Sequence, residues 1–385
     1  MTSRRILWVI FLVVVVGGVF LVYRGGEKRA PATPVGAQLQ ITIPLGLPPV
    51  PVPADNPPTT AAIELGRQLY YDPVLSVDNS VSCASCHHPD YGFGDGKPVS
   101  NGVQGKKGTR NSPTVFNTAY FNTLFWDGRA ASLEEQAAGP VQNPVEMAHT
   151  LKGVENKLMR YPGYRDAFAT AFGPSHITFD MVAKAIASFE RTVVSGNSPF
   201  DRYYYGHDQS ALSESAKRGL LVFTSPDKGN CAACHEIGKD YALFTDNKFH
   251  NIGVGVENEQ PTDLGRYLVT KNDADKGAFR TPTLRNIAHT GPYMHDGSLK
   301  TLKEVVDFYI GAGNSNPYLD KRIRPLDFLS GQERADLVAF LESLTGDTPS
   351  AVGPPQRLAG NTRITENRAD APPVVSRSKG LERRP

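Results

Sequence analysis

A chain of 385 residues has room for about two domains of ordinary size. Apolar residues make up 40% and charged residues 21%, the balance of a globular protein with a true core rather than a solvated, disordered chain. The formal net charge is +2, with no basic stripe and no acidic block, which argues against a nucleic-acid partner.

The chain opens with Arg4 and Arg5, followed by an unbroken apolar run from Ile6 to Tyr23. That pattern is an export signal or a signal anchor, and the run is long enough to span a bilayer as a single helix. No small-x-small cleavage site follows at once, so residues 1–24 are expected to form an uncleaved transmembrane anchor. Arg24, Lys28 and Arg29 place more positive charge after the span than before it, which runs against an inside amino terminus. Residues 25–60 hold a cluster of prolines, from Pro31 to Pro58, and are expected to form a stiff, extended linker. Residues 347–385 lack apolar periodicity and are expected to be a disordered tail.

The body between these segments contains an internal repeat. When Pro113-Thr-Val-Phe-Asn117 is set on Pro282-Thr-Leu-Arg-Asn286, one gap-free offset also places Asp127-Gly128 on Asp296-Gly297. The same offset places Ser132-Leu-Glu-Glu135 on Thr301-Leu-Lys-Glu304, and both sequences read as capping boxes that open a helix. A helix-like segment precedes each repeat, Ile63 to Tyr71 and Ser213 to Phe223. The fold class is therefore mainly α, with two related domains in tandem at 61–205 and 206–346.

All four cysteines fall into two sequences, Cys83-Ala-Ser-Cys86-His87 and Cys231-Ala-Ala-Cys234-His235. Two thiols at this spacing reach one porphyrin edge, and the adjacent histidine bonds iron, so each is a c-type haem attachment sequence. Zinc binding, thioredoxin-like redox chemistry and two disulfides are poorer readings. None of them needs a histidine after both pairs, in register with a repeat. The implied cofactors are two covalently bound haem c groups, which are attached outside the cytoplasm; the chain is thus expected to be periplasmic and tethered to the inner membrane.

The other face of each iron decides function. In the second domain, Leu302, Val305 and Tyr309 form a helical stripe, which makes Tyr309 either a core tyrosine or a ligand of the second iron. Pro140, which cannot ligate, stands at the repeat-equivalent position of the first domain, so the first haem is expected to be open. Splitting peroxide at an open iron needs a group that takes a proton from one oxygen and delivers it to the other. Glu146 and Gln136 flank Pro140, and either could overhang that face.

Arg110-Asn-Ser-Pro-Thr-Val-Phe-Asn117, Phe125-Trp-Asp-Gly-Arg129 and Gly139-Pro-Val-Gln-Asn-Pro-Val-Glu-Met147 go well beyond the haem sequences. With Arg280-Thr-Pro-Thr-Leu-Arg-Asn286 and Pro292-Tyr-Met-His-Asp-Gly297, they resemble the bacterial di-haem cytochrome c peroxidase and MauG superfamily over residues 41–345. The resemblance implies a peroxidatic first haem with Glu146 as catalytic acid/base and Gln136 nearby, and an electron-transfer second haem. It implies Trp126 between the haems, and a calcium ion held by the Asn111 side chain and the carbonyls of Thr290 and Pro292. Peroxidases of this type carry a histidine that caps the first iron until the partner haem is reduced, and the matching position here is Val103. They ligate the second iron with methionine, where this chain has Tyr309; both departures make it similar to MauG. Met294 and His295 are the neighbouring alternatives as ligand, and His149, His176, His207 and His250 receive no role. Three activities follow as expectations. The first is reduction of hydrogen peroxide with electrons from a small periplasmic donor protein, without reductive activation. The second is MauG-like oxidation of side chains on a partner protein, and the third is simple di-haem electron transfer.

Overall fold

The computed structural model describes residues 32–356, and the expected anchor at 1–24 lies outside them. Among the described residues no helix is long and apolar enough to cross a membrane. The fold is mainly helical and is built twice. The first half holds α1 (Thr60–Tyr71), α2 (Cys83–Cys86), α3 (Leu133–Gln142), α4 (Leu151–Leu158), α5 (Pro162–Phe172) and α6 (Phe179–Glu190). After α7 (Pro199–Tyr204), the second half holds α8 (Glu214–Thr224), α9 (Tyr267–Thr270), α10 (Leu302–Ile310) and α11 (Gly331–Glu342). Four two-residue strands form two antiparallel pairs, β1 (Phe249–His250) with β4 (Phe279–Arg280) and β2 (Val256–Glu257) with β3 (Gln260–Pro261).

Each half rests on one tight helix crossing. The side chain of Thr59 caps α1, which ends at Asp72-Pro73 because proline cannot continue the helix. At its crossing with α6, a Cβ on Gly66 would lie 1.8 Å from the Ala185 carbonyl oxygen. In the second half, Ser213 caps α8, and a Cβ on Gly219 would lie 2.0 Å from the Asp336 carbonyl oxygen of α11. Only glycine allows either pair to approach so closely. The packed faces bury Leu65, Leu69, Val182 and Ile186 in one core and Leu220, Phe223, Leu337 and Phe340 in the other. Burying each such side chain contributes about 1.5–3 kcal/mol.

The repeat seen in the sequence is also a backbone repeat. Asn117 and Asn286 both adopt the left-handed conformation, at φ 63° and 58°. The Asn117 amide bonds Ser195, and the Asn286 carboxamide oxygen accepts from Gly346 N. Bridges Leu124–Ala130 and Tyr293–Leu299 fall at equivalent positions. The capping boxes differ slightly. Thr301 and Glu304 satisfy each other's backbone donors, whereas Glu135 accepts from Ala131 N, one residue before its cap.

Three expectations about boundaries change. The proline-rich segment is no free tether, because from Ala32 onward it packs on the body. Its carbonyls are left open by the lack of proline N–H groups, and they accept from elsewhere. Tyr120 Oη bonds the Pro48 carbonyl at 2.9 Å, Asn197 N bonds Leu45, and Arg285 Nη2 bonds Gly46 at 2.6 Å. Arg285 also forms a bidentate ion pair with Asp201, both fully buried; removing one partner of such a pair costs about 3–5 kcal/mol. Second, the segment expected to be disordered from 347 begins as an ordered strap. Val352 is buried against the first half, and Arg67 Nε donates to the Gly353 carbonyl at 2.7 Å. Third, α7 falls within the span assigned to the first domain, yet its Phe200 packs in the second core against Phe244 and Phe340.

Candidate functional site

In the first half, one short turn carries both thiols. Ser82 and Ser85 exchange hydrogen bonds that open α2, and His87 N closes the turn on the Cys83 carbonyl at 2.9 Å. Nδ1 of His87 lies 2.9 Å from the Pro113 carbonyl oxygen and 3.1 Å from that of Phe93. Those carbonyls fix Nδ1 as the protonated nitrogen, and burial lowers the ring's pKa, so Nε2 offers a lone pair to a metal. Burial, helped by Glu190, pushes the Cys83 thiol up; burial raises Cys86 as well.

The second half repeats the design. His235 N bonds the Cys231 carbonyl at 2.9 Å, and Nδ1 of His235 bonds the Phe244 carbonyl at 2.9 Å. A large cavity opens beside them, lined by Cys231, Cys234, His235, Trp126, Met294 and Tyr309. None of the four cysteines is joined in a disulfide, so both pairs are available to a cofactor. Paired free thiols, a neutral imidazole locked at one nitrogen and, in the second half, an apolar cavity fit a covalently attached haem.

Tyr309 lies on α10 in the stripe read from the sequence: Leu302, Val305 and Tyr309 all line the cavity, together with the buried Val306 and Ile310 beside them. Burial, then the Cys231 and Cys234 thiols, raise the Tyr309 phenol well above its ordinary range. Met294 and His295 line the same cavity, and the His295 ring stacks on Phe279 at 3.6 Å with its pKa lowered by burial to about 4.

Above the first thiol pair, the turn after α3 presents Glu146. Asn143 Nδ2 donates to Glu146 Oε1 at 2.6 Å. Burial raises the carboxyl's pKa, opposed by that bond and by Arg129. The Glu146 charge is felt by both Cys83 and Cys86, so the fold unites these sequence-predicted residues. Val103 is buried in the core with Met147, and its N–H donates to the Glu146 carbonyl at 2.8 Å. Gly102 permits this approach, since a Cβ there would sit 1.9 Å from the Val145 carbonyl oxygen. Gln136 is half-buried on α3, and among the described residues its side chain makes no hydrogen bond to Glu146.

Trp126 joins the halves. Its Nε1 donates to the Asn111 carbonyl at 2.8 Å, and its own carbonyl accepts from Arg280 N at 2.8 Å. Asn111 is buried, donates its amide to the carbonyls of Lys97 and Pro98, and shares the cavity lining with Thr290 and Pro292. Arg110 adds a clamp, bonding Asp127 at 2.6 Å and Asp263 at 2.6 Å.

Four residues near the haem sites escaped the sequence reading. His250 sits between Asp246 at 2.9 Å and Asp320 at 2.8 Å, and it clusters with Cys234. Burial opposes its charge, but Cys234 and the aspartates push its pKa up to about 9. The counterpart of Asp246 in the first half is Asp95, two residues past the equivalent phenylalanine; it accepts from Ser100 Oγ at 2.7 Å. Glu190 is buried, and burial raises it to about 8, opposed by the adjacent Arg191 and helped by Glu134, with which Arg191 is paired. Tyr70 Oη donates to the His87 carbonyl at 2.7 Å. The spacing from each haem histidine to its phenylalanine carbonyl could have exposed the aspartates. His176 and His207 are exposed, and His149 accepts from Thr150 N.

Residues 60–209 match the family described as di-haem cytochrome c peroxidase, and residues 216–345 match cytochrome c. The chain is 42% identical over 328 residues to cytochrome-c peroxidase IdrP1 of Pseudomonas sp. (strain SCT), covering 79% of this chain and 86% of that protein. It is 43% identical over 310 residues to methylamine utilization protein MauG of Methylorubrum extorquens, covering 80% and 84% respectively. Among solved structures, a MauG-like protein associated with microbial copper homeostasis superposes with a TM-score of 0.72 at 34% identity, over 79% of this chain and 95% of that one.

Proposed function

This chain belongs to the di-haem cytochrome c peroxidase family, and from that premise we propose that it reduces hydrogen peroxide at its first haem without prior reduction of the second. As a member it is an oxidoreductase with two haem c sites, held by Cys83, Cys86 and His87 and by Cys231, Cys234 and His235. When bound, the first haem supplies the iron at which the peroxide O–O bond breaks, and the second passes electrons from a cytochrome donor.

The reading rests on one arrangement: Val103 is buried in the core where a capping histidine would stand, with Glu146 directly beside it. Glu146 takes the proton from the near oxygen of peroxide and returns it to the departing oxygen. A carboxyl raised toward neutrality has both forms accessible and suits this exchange. Asn143 orients it at Oε1. Gln136 is assigned as a second polar group over the same face. Tyr309 is assigned as the sixth ligand of the second iron. It can bind only by losing its proton, which its burial makes dependent on the metal's own charge. Trp126 is assigned the path between the haems, and Asn111, Thr290 and Pro292 a calcium ion at their junction. Attachment of c-type haem places the protein in the periplasm, with residues 1–24 as its membrane tether.

A second reading, oxidation of side chains on a partner protein, is supported by Tyr309 and by the similarity to MauG. The test is the optical spectrum of the fully ferric protein before and after one equivalent of hydrogen peroxide, without reductant. An immediate change at the first haem is expected, and Glu146→Gln should slow it about 10²–10⁴-fold. A spectrum that stays unchanged until one haem is reduced would overturn the proposal.

A further inference from the structure

The glycine crossings set the two halves in register and make the second half a control for the first. Four residues beyond Gly66 stands Tyr70; four beyond Gly219 stands Phe223. The next positions are Tyr71 and Thr224. The scaffold therefore accepts a phenylalanine and a non-aromatic residue here, and only the first half carries two phenols.

Their placement links the haem histidine to the surface. Tyr70 is fully buried and donates to the carbonyl of His87, the residue that would hold the first iron, at 2.7 Å. Its ring meets that of Tyr71 edge to face, with centroids 5.2 Å apart. Tyr71 is half-buried, and its hydroxyl donates to the Val352 carbonyl of the strap at 2.6 Å. A tyrosine phenol carries its proton at neutral pH, so losing an electron requires losing a proton. Tyr70 has no hydrogen-bonded base to receive one: its hydroxyl donates to the His87 carbonyl, and Glu190, whose charge reaches the phenol, makes no hydrogen bond to it. Tyr71 can release its proton to water. An oxidising equivalent thus passes through Tyr70 and comes to rest on Tyr71.

We propose that Tyr70 and Tyr71 form an electron route from the surface to the histidine side of the first haem, with Tyr71 the residue oxidised when no external donor is present. The proposal rests on the peroxidase reading of the first site. Reducing one hydrogen peroxide to two waters takes two electrons and two protons. Tyr71 supplies one electron through Tyr70, releases its phenolic proton to water and is left as a neutral tyrosyl radical; the other electron would come from the second haem when bound, and the two protons come from solvent water. A small phenol or ascorbate restores Tyr71 by donating a hydrogen atom. The pair would discharge oxidising power harmlessly and open a site for small reductants.

The experiment uses the haem-loaded protein, with ring-deuterated tyrosine, mixed with one equivalent of hydrogen peroxide without donor and freeze-quenched for electron paramagnetic resonance. An organic radical signal narrowed by deuteration is expected in the wild type, with loss of that signal in Tyr71→Phe and Tyr70→Phe. Tyr70→Phe copies the second half's own residue, and Tyr71→Phe keeps the ring; haem absorption and Tm verify folding. Peroxide consumption driven by a reduced cytochrome, which enters at the second haem, should be unchanged in both variants, whereas consumption driven by ascorbate should fall. A signal of full size in Tyr71→Phe, or one that deuteration does not narrow, overturns the route. Peroxide consumption without any tyrosyl signal also overturns it, whereas failure of the wild type to consume peroxide even with donor would instead defeat the peroxidase reading.

Discussion

The two halves share a scaffold and differ at the positions that face iron. Gly66 and Gly219 make the same crossing, Phe93 and Phe244 hold the two haem histidines, and Asn117 and Asn286 turn the chain alike. Against that constant frame, Pro140 stands where the second half has Tyr309, Tyr70 where it has Phe223, and Glu190 where it has Leu341. On the roles proposed above, the first half lacks the phenol that would ligate iron and carries Glu146, Tyr70 and Glu190 instead. The second half has gained a buried phenol and an ionic cluster around His250. Duplication preserved the packing because both cores need the same close approach.

Removing the ligand asymmetry should have the largest effect. Tyr309→Phe keeps the ring in the cavity but deletes the oxygen, leaving both irons with an open face. Cyanide titration of the ferric protein should then rise from one equivalent bound to two. A single equivalent in the variant would remove Tyr309 from the coordination sphere.

The shared frame can be tested by damaging both copies equally. Gly66→Ala and Gly219→Ala each force a methyl group into a backbone carbonyl, and overpacking of this kind costs about 1–3 kcal/mol. The better helix propensity of alanine offsets at most about 1 kcal/mol. Thermal unfolding should show both variants destabilised by similar amounts. A stable variant at one crossing would mean that the halves are packed by different rules.

The smallest effect concerns Glu190. Its pKa in the folded state is raised to about 8, far above that of an unfolded glutamate near 4.3. A raised pKa contributes stability that is complete below about pH 4.3 and is lost as pH climbs through the folded value. Glu190→Gln removes this dependence, so the wild type should lose Tm relative to the variant as pH rises from about 4 to 8. Parallel curves would place a cation beside Glu190 when haem is attached. The second half, with Leu341 at this position, has no equivalent contribution.

The sequence by itself determined what depends on chain order: two haem attachment sequences, an internal repeat, helices opened by Ser132 and Thr301, and Pro140 at the repeat position of Tyr309. These features are local, so spacing and residue type suffice to read them. Only the tertiary structure decided how distant segments meet. The proline-rich segment became a packed strap because its open carbonyls found Arg285 and Tyr120, far along the chain. Helical periodicity identified the inward face of α10, and only the tertiary structure showed that this face, Tyr309 included, lines a cavity. The raised titration of Glu190 likewise comes from burial, and that of His250 from Cys234 and Asp246 against the effect of burial, and those are properties of the folded chain alone.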